Sequence, residues 1–221
     1  MYDFVVGTTQ EQKQAIYDLS DQAKAGDMGA MHKLGMAHVV GCVYNPEAGV
    51  TILKAASNAG YVESTRQLAS LLHSFDEVRA DWPESLLLAN SLAERGDLGM
   101  QLLAAKLYQL NGGGLTQDLD KSYSMAKSAA DRGHAPASTF LGDMYKMGVG
   151  VERDVNKALE LYQQGLDAGD RSAAGKIQSM KETIVPANSP MDAFYSSKGY
   201  SAAPAEQATS VVVYSNSAPR M

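Results

Sequence analysis

The 221-residue chain contains one cysteine, Cys42, one tryptophan and seven prolines. A lone thiol closes no intramolecular disulfide, and without a cysteine cluster there is no thiolate set for zinc. Basic residues are in deficit too: 19 Lys+Arg against 25 Asp+Glu leave a formal charge of -6 and a pI near 5.2. That is the wrong sign for a protein whose affinity comes from neutralising phosphates, so nucleic-acid binding is not expected. No apolar run approaches the roughly 18 residues that a bilayer-spanning helix needs. The start, Met1 to Gly7, has no basic segment and only a three-residue apolar stretch. These absences predict a reducing, cytoplasmic setting without membrane insertion. What is present, 45% apolar and 20% charged residues, is the balance of a soluble chain that buries a core.

Glycine is the anomaly. It supplies 20 of 221 residues although the apolar periodicity is helical almost throughout, and in a helix it costs about 1 kcal/mol relative to alanine. Five turn signatures account for it: Ala25-Gly26-Asp27, Ala59-Gly60-Tyr61, Arg95-Gly96-Asp97, Arg132-Gly133-His134 and Ala168-Gly169-Asp170, with glycines 34, 36, 37 and 36 residues apart. Near-constant spacing in this range marks an array of repeated units. Positions are numbered below from these glycines, +8 being the eighth residue beyond.

Stacked in this register, +8 and +9 read Leu34-Gly35, Leu68-Ala69, Ala104-Ala105 and Leu141-Gly142, and +12 reads His38, Leu72, Tyr108 and Tyr145. This is one buried helical stripe whose small residue lets the next helix approach closely. Second helices are predicted over 47–58, 83–94, 119–131 and 155–167, announced by Asn45-Pro46, Asp118 and Asp154. Each ends at an anchor glycine, predicted left-handed as a helix C-terminal residue. A helix over Thr9 to Ala25 is expected to cap one end of the array, and one over Arg171 to Ile184 the other, its Lys176, Lys181 and Glu182 making a polar outer face.

The run Ala137 to Gly169 carries Leu141-Gly142-Asp143-Met144-Tyr145, Gly148-Val149-Gly150, Asp154, Lys157-Ala158, Tyr162 and Ala168-Gly169. It resembles the Sel-1-like repeat (SLR), a subclass of tetratricopeptide-like (TPR-like) helical hairpins. The unit with Tyr108, Gly112-Gly113-Gly114, Asp118 and Lys121 is a second good copy. The first unit has His38 where the family usually has tyrosine, and the second has no glycine between His73 and Pro83. The resemblance implies an all-α fold, a right-handed αα-superhelix of about four and a half hairpins over 25–185, with a capping helix in 1–24. It also implies a bacterial-type adaptor or scaffold that binds a protein or peptide on the concave face of its first helices.

If +4, +8, +9 and +12 face the core, then +6, +10 and +13 share the neighbouring stripe. Candidate partner-binding residues on it are His32, Met36, Arg66, His73, Lys106, Gln109, Asp143 and Lys146. Arg66, Lys106 and Lys146 make a segment of mixed or acidic character the expected partner. Residues 186–221 form a Pro/Ser/Ala-rich tail, expected to be extended or disordered. Its strand-prone aromatics Tyr195, Tyr200 and Tyr214 are further candidates, either as sticky residues on a floppy terminus or as a docking segment. The alternative function is an assembly component in which array and tail join neighbouring subunits as a homo- or hetero-oligomer.

No catalytic constellation, metal set or cofactor motif emerges. His32, His38, His73 and His134 have no metal-ligand spacing, and Gly112-Gly113-Gly114 lacks the Lys-Ser/Thr ending of a phosphate loop. Asp118, Asp120, Asp143 and Asp154 fall at cap or surface positions, and the helical methionines, among them Met28, Met36, Met100, Met144 and Met180, read as core filler.

Overall fold

The computed structural model describes residues 4–74 and 80–183, together with four two-residue strands beyond them. Ten α-helices follow one another along the described chain: α1 Gln10–Lys24, α2 Met28–Val40, α3 Pro46–Asn58, α4 Val62–Ser74, α5 Trp82–Glu94, α6 Leu98–Tyr108, α7 Leu119–Asp131, α8 Ala135–Met147, α9 Val155–Asp167 and α10 Ser172–Thr183. Each packs chiefly on its sequence neighbours, so the array is a stack of antiparallel hairpins α2/α3, α4/α5, α6/α7 and α8/α9, flanked by α1 and α10. Beyond α10 the strands β1 Val185–Pro186 and β3 Val211–Val212 pair antiparallel, as do β2 Ser201–Ala202 and β4 Tyr214–Ser215. The fold is all-α.

One two-residue device joins the units. Gly26, Gly60, Gly96, Gly133 and Gly169 all have φ between 83° and 103°, the left-handed region that glycine enters without a Cβ penalty. The next residue donates its N–H back over the helix just ended: Asp27 to Gln22, Tyr61 to Ala56, Asp97 to Leu92, His134 to Ala129 and Asp170 to Gly165. At Asp27 and Asp97 the side chain of that same residue then caps the helix to come, accepting from the Ala30 and Met100 N–H. Asn45, Asp81, Asp118 and Asp154 cap the second helices in the same way.

Inside each hairpin the two helices cross at +9 of the first and eleven residues before the closing glycine on the second. The pairs are Gly35/Gly49, Ala69/Ser85, Ala105/Ser122 and Gly142/Ala158. A Cβ on Gly142 would stand 2.7 Å from the Tyr162 ring and 3.2 Å from the Ala158 carbonyl oxygen, and one on Gly35 would stand 2.8 Å from Leu53. Where serine occupies the crossing, its hydroxyl is buried and donates to the facing +9 carbonyl: Ser85 to Ala69 at 2.6 Å and Ser122 to Ala105 at 2.7 Å. A buried hydroxyl needs such a partner.

All four residues at +8 and all four at +9 are buried; at +12, His38 and Leu72 are buried and the two tyrosines half-buried. Three sequence expectations change. Met28 is exposed, because it is the first residue of α2, ahead of the turn that enters the core. Lys176 does not face outward: it turns onto α8, as described below. Asp143 is likewise half-buried rather than a surface group.

Candidate interaction surface

In the first two units the +6 residue meets the turn that opens the next, and in the third Leu102 packs on Ala129 and Ala137. His32 stacks on Tyr61 with ring centroids 5.6 Å apart, and its Nδ1 lies 3.1 Å from the Ser64 hydroxyl. Arg66 donates from Nε to Asp97 at 2.8 Å, closes the pair through a second nitrogen at 2.6 Å, and reaches Glu63 at 2.6 Å. Thr139, buried, donates to the Ala135 carbonyl within α8 and helps to hold the Asp170 carboxyl low. Burial alone would raise the Asp97 carboxyl, but the Met100 N–H and the Arg66 guanidinium hold it below its usual range. At Asp170 burial is similarly outweighed by hydrogen bonds from Thr139 and Ser172. The +6 row therefore joins units to each other. Leu102 and Thr139 on it are buried, as is Val39 at +13, so the outward stripe is narrower than spacing alone predicts.

The +10 row meets +7 of the following unit. Asp143 accepts from Lys176 Nζ at 2.8 Å and from the Tyr162 hydroxyl at 2.8 Å. Burial and this hydrogen bond together push the Tyr162 hydroxyl well above its ordinary value. Lys106 instead meets Phe140, its ammonium lying 5.9 Å from the ring centroid. Met36 packs beside Val39, Leu53 and Leu71. At +13, His73, Gln109 and Lys146 are half-buried. The side-chain Nδ1 of His73 and Nε2 of Gln109 are buried without a hydrogen-bond partner among the described residues.

Spacing placed His32, Met36, Arg66, His73, Lys106, Gln109, Asp143 and Lys146 on the first helices; seven stand there, and Gln109 is the residue that caps the C-terminus of α6. It missed their partners Tyr61 and Asp97, signalled by their place directly after an anchor glycine, and Phe140 and Lys176, which share the +7 position. Tyr195 and Tyr200 lie outside the described residues, and Tyr214 is described only as backbone in β4.

Burial holds the imidazoles of all four histidines below their ordinary 6.5. The positive charge of Lys106 adds to this at His73 and His134, while Glu63 opposes it at His32 and Asp97 and Asp170 oppose it at His134. An open cavity of about 520 Å³ lies at the start of α9, lined among others by Tyr145, Val151, Arg153 and Asp154. Its carboxylate Asp154 is engaged in capping α9 through the Lys157 N–H. Among the described residues no group of three or more His, Cys, Asp or Glu is placed to hold a metal, and no helix is long and apolar enough to cross a membrane.

The family model of the Sel1 repeat matches residues 29–61, 98–134 and 135–170. A chitin synthase regulator of Malassezia restricta is 26% identical over 161 residues, 68% of this chain and 11% of that protein. An uncharacterized protein of Neisseria meningitidis is 27% identical over 153 residues, 69% of this chain and 30% of that one. The chain thus spans under a third of either curated relative. Among solved structures, a Sel1 repeat protein from Oxalobacter formigenes superposes with a TM-score of 0.62 at 24% identity, covering 76% of this chain and 69% of that one. A protective antigen of uropathogenic Escherichia coli displaying an SLR fold gives 0.63 at 22% identity, covering 75% and 36%. Helical proteins built of such repeats are generally non-enzymatic scaffolds for protein–protein interaction. Three matched repeats, carried on stacked hairpins with a glycine turn at every junction, make this chain a member of the Sel1-repeat family.

Proposed function

We propose that the protein is an adaptor or scaffold that binds a partner protein or peptide along the +10 and +13 rows of its first helices, on the concave side of the array. The observation that carries this reading is the set of bonds linking first helix to first helix: His32 to Ser64, Arg66 to the cap of α6 at Asp97, and Lys176 to Asp143. With the Lys106–Phe140 contact between α6 and α8, they hold α2, α4, α6, α8 and α10 side by side. Side chains at +10 and +13 then form a strip that is already ordered before a partner arrives, which lowers the entropy cost of binding. The strip differs from unit to unit, Met36, Ser70, Lys106 and Asp143 at +10, and such variation is what selects one partner over another. Action through a second protein is also in keeping with the regulator named above.

Affinity capture with the full chain, followed by mass spectrometry, tests the reading against the double variant Lys106→Glu/Lys146→Glu. At least one captured protein is expected to disappear while the melting temperature is kept. An unchanged set of captured proteins would overturn it.

A further inference from the structure

We infer that Lys106, His73 and Gln109 form a carboxylate-binding site for an acidic side chain of the partner segment; this rests on the first-helix strip being the binding surface. The cations along the strip differ in what neutralises them. Arg66 is held by Glu63 and Asp97, and Lys176 by Asp143. Lys106 occupies the same +10 position as Asp143, yet the +7 residue it meets is Phe140. The ring face attracts and orients the ammonium without cancelling its charge. Among the described residues no carboxylate comes within 4 Å of it, and the side chain is exposed.

Two further polar groups face the same problem. Gln109 lies one helical turn beyond Lys106, on the same face of α6. Its amide nitrogen is buried and donates to nothing among the described residues. His73 stands at the matching +13 position of α4, its Nδ1 also buried and unpartnered. Burial, and after it the positive charge of Lys106, holds this imidazole below its ordinary value. Among the described residues, a cation without an anion and an amide donor without an acceptor therefore stand one turn apart on one face of α6, with an unpartnered imidazole nitrogen at the matching position of α4. A carboxylate satisfies the two groups on α6 together: it neutralises the ammonium and accepts from the amide. A basic segment would be repelled by Lys106, and an apolar one would leave the polar groups stranded.

The test uses the full chain and three fluorescein-labelled octapeptides of equal length: one rich in Glu and Asp, one rich in Lys, and one of Ala, Leu and Ser. Anisotropy at low salt is expected to show binding of the acidic peptide only, weakening as salt rises. Lys106→Ala should weaken that binding about tenfold, on the scale of a lost charge-assisted contact. The acidic peptide should also move the side-chain amide resonances of Gln109 and the ring resonances of His73. Preference for the Ala/Leu/Ser or Lys-rich peptide, with K106A neutral, would overturn the carboxylate site and leave the adaptor reading standing. Failure of all three peptides, together with capture insensitive to charge reversal along the strip, would defeat both. A Lys106 ammonium resonance that shifts in Asp76→Asn/Glu77→Gln with no peptide present would assign the site to the chain's own acidic pair and also overturn the proposal.

Discussion

The seam inside each hairpin, at +9, and the strip along the first helices, at +10 and +13, stand on the same helices and obey different rules. At the seam the four units agree: Gly35/Gly49, Ala69/Ser85, Ala105/Ser122 and Gly142/Ala158 are all small pairs at the crossing, with the +8 residue buried beside them in every unit. Along the strip they disagree, and a methionine, a serine, a lysine and an aspartate take the same +10 position. Close packing explains the agreement, since a crossing with backbone 3 Å from a would-be Cβ tolerates no larger side chain. Disagreement is permitted where only a neighbour on the next unit has to be satisfied. The +6 row lies between these extremes: its residues vary, but His32 and Arg66 each have a fitting partner at the following turn, and Leu102 packs on the helices beside it.

Breaking the seam should have the largest effect. Gly142→Val drives a branched side chain into the Tyr162 ring, itself fully buried, and is expected to cost about 1–3 kcal/mol in urea unfolding followed by circular dichroism. The anchor turn comes next. Gly133 has φ +83° with open space around a would-be Cβ, so Gly133→Val isolates the backbone strain at about 1–2 kcal/mol. A neutral result there would contradict the repeat register.

Acid should weaken the array with a defined sign. The unfolded chain takes up protons on histidine near 6.5, while the folded chain, with all four imidazoles held lower, takes them up only at more acid pH. The stability they contribute is complete above 6.5 and is lost as pH falls below it. The urea midpoint should therefore be lower at pH 5.5 than at 7.5, and His38→Leu, which borrows the +12 residue of the second unit, should flatten part of the slope. The carboxylates held low, Asp97 and Asp170, act below this window.

The smallest effects on stability separate the two kinds of cation. Arg66→Ala removes a half-exposed pair with Glu63 and Asp97 and should cost under about 1 kcal/mol. Lys106→Ala removes a side chain without an ion pair and should stay within about 0.5 kcal/mol. A thermal-shift comparison in which Lys106→Ala is the more damaging would show that Lys106 serves the fold rather than the strip.

Much of the array was legible in the chain. The second helices end at Asn58, Glu94, Asp131 and Asp167, as the glycine register predicts, because a left-handed glycine is a local signal that needs no tertiary partner. The +8/+9 stripe was equally readable, since burial repeats with the helix period. Side-chain partnership was not. Lys176 looked like a polar cap residue and is the counter-ion of Asp143, and Lys106 and Arg66 looked alike although one is neutralised and the other is not. Each of those pairings joins residues about 31 to 34 positions apart. A separation of one repeat carries no periodic trace within a single helix.

By itself, then, the sequence determined the hairpins, their register and the small residues at which they cross, because glycine backbone freedom and helix-period burial are written residue by residue. Only the tertiary stacking decided which strip residues are spent on the next unit and which keep an unsatisfied charge or amide. That is a question of what stands opposite across a junction, and it is settled by the rotation from one unit to the next.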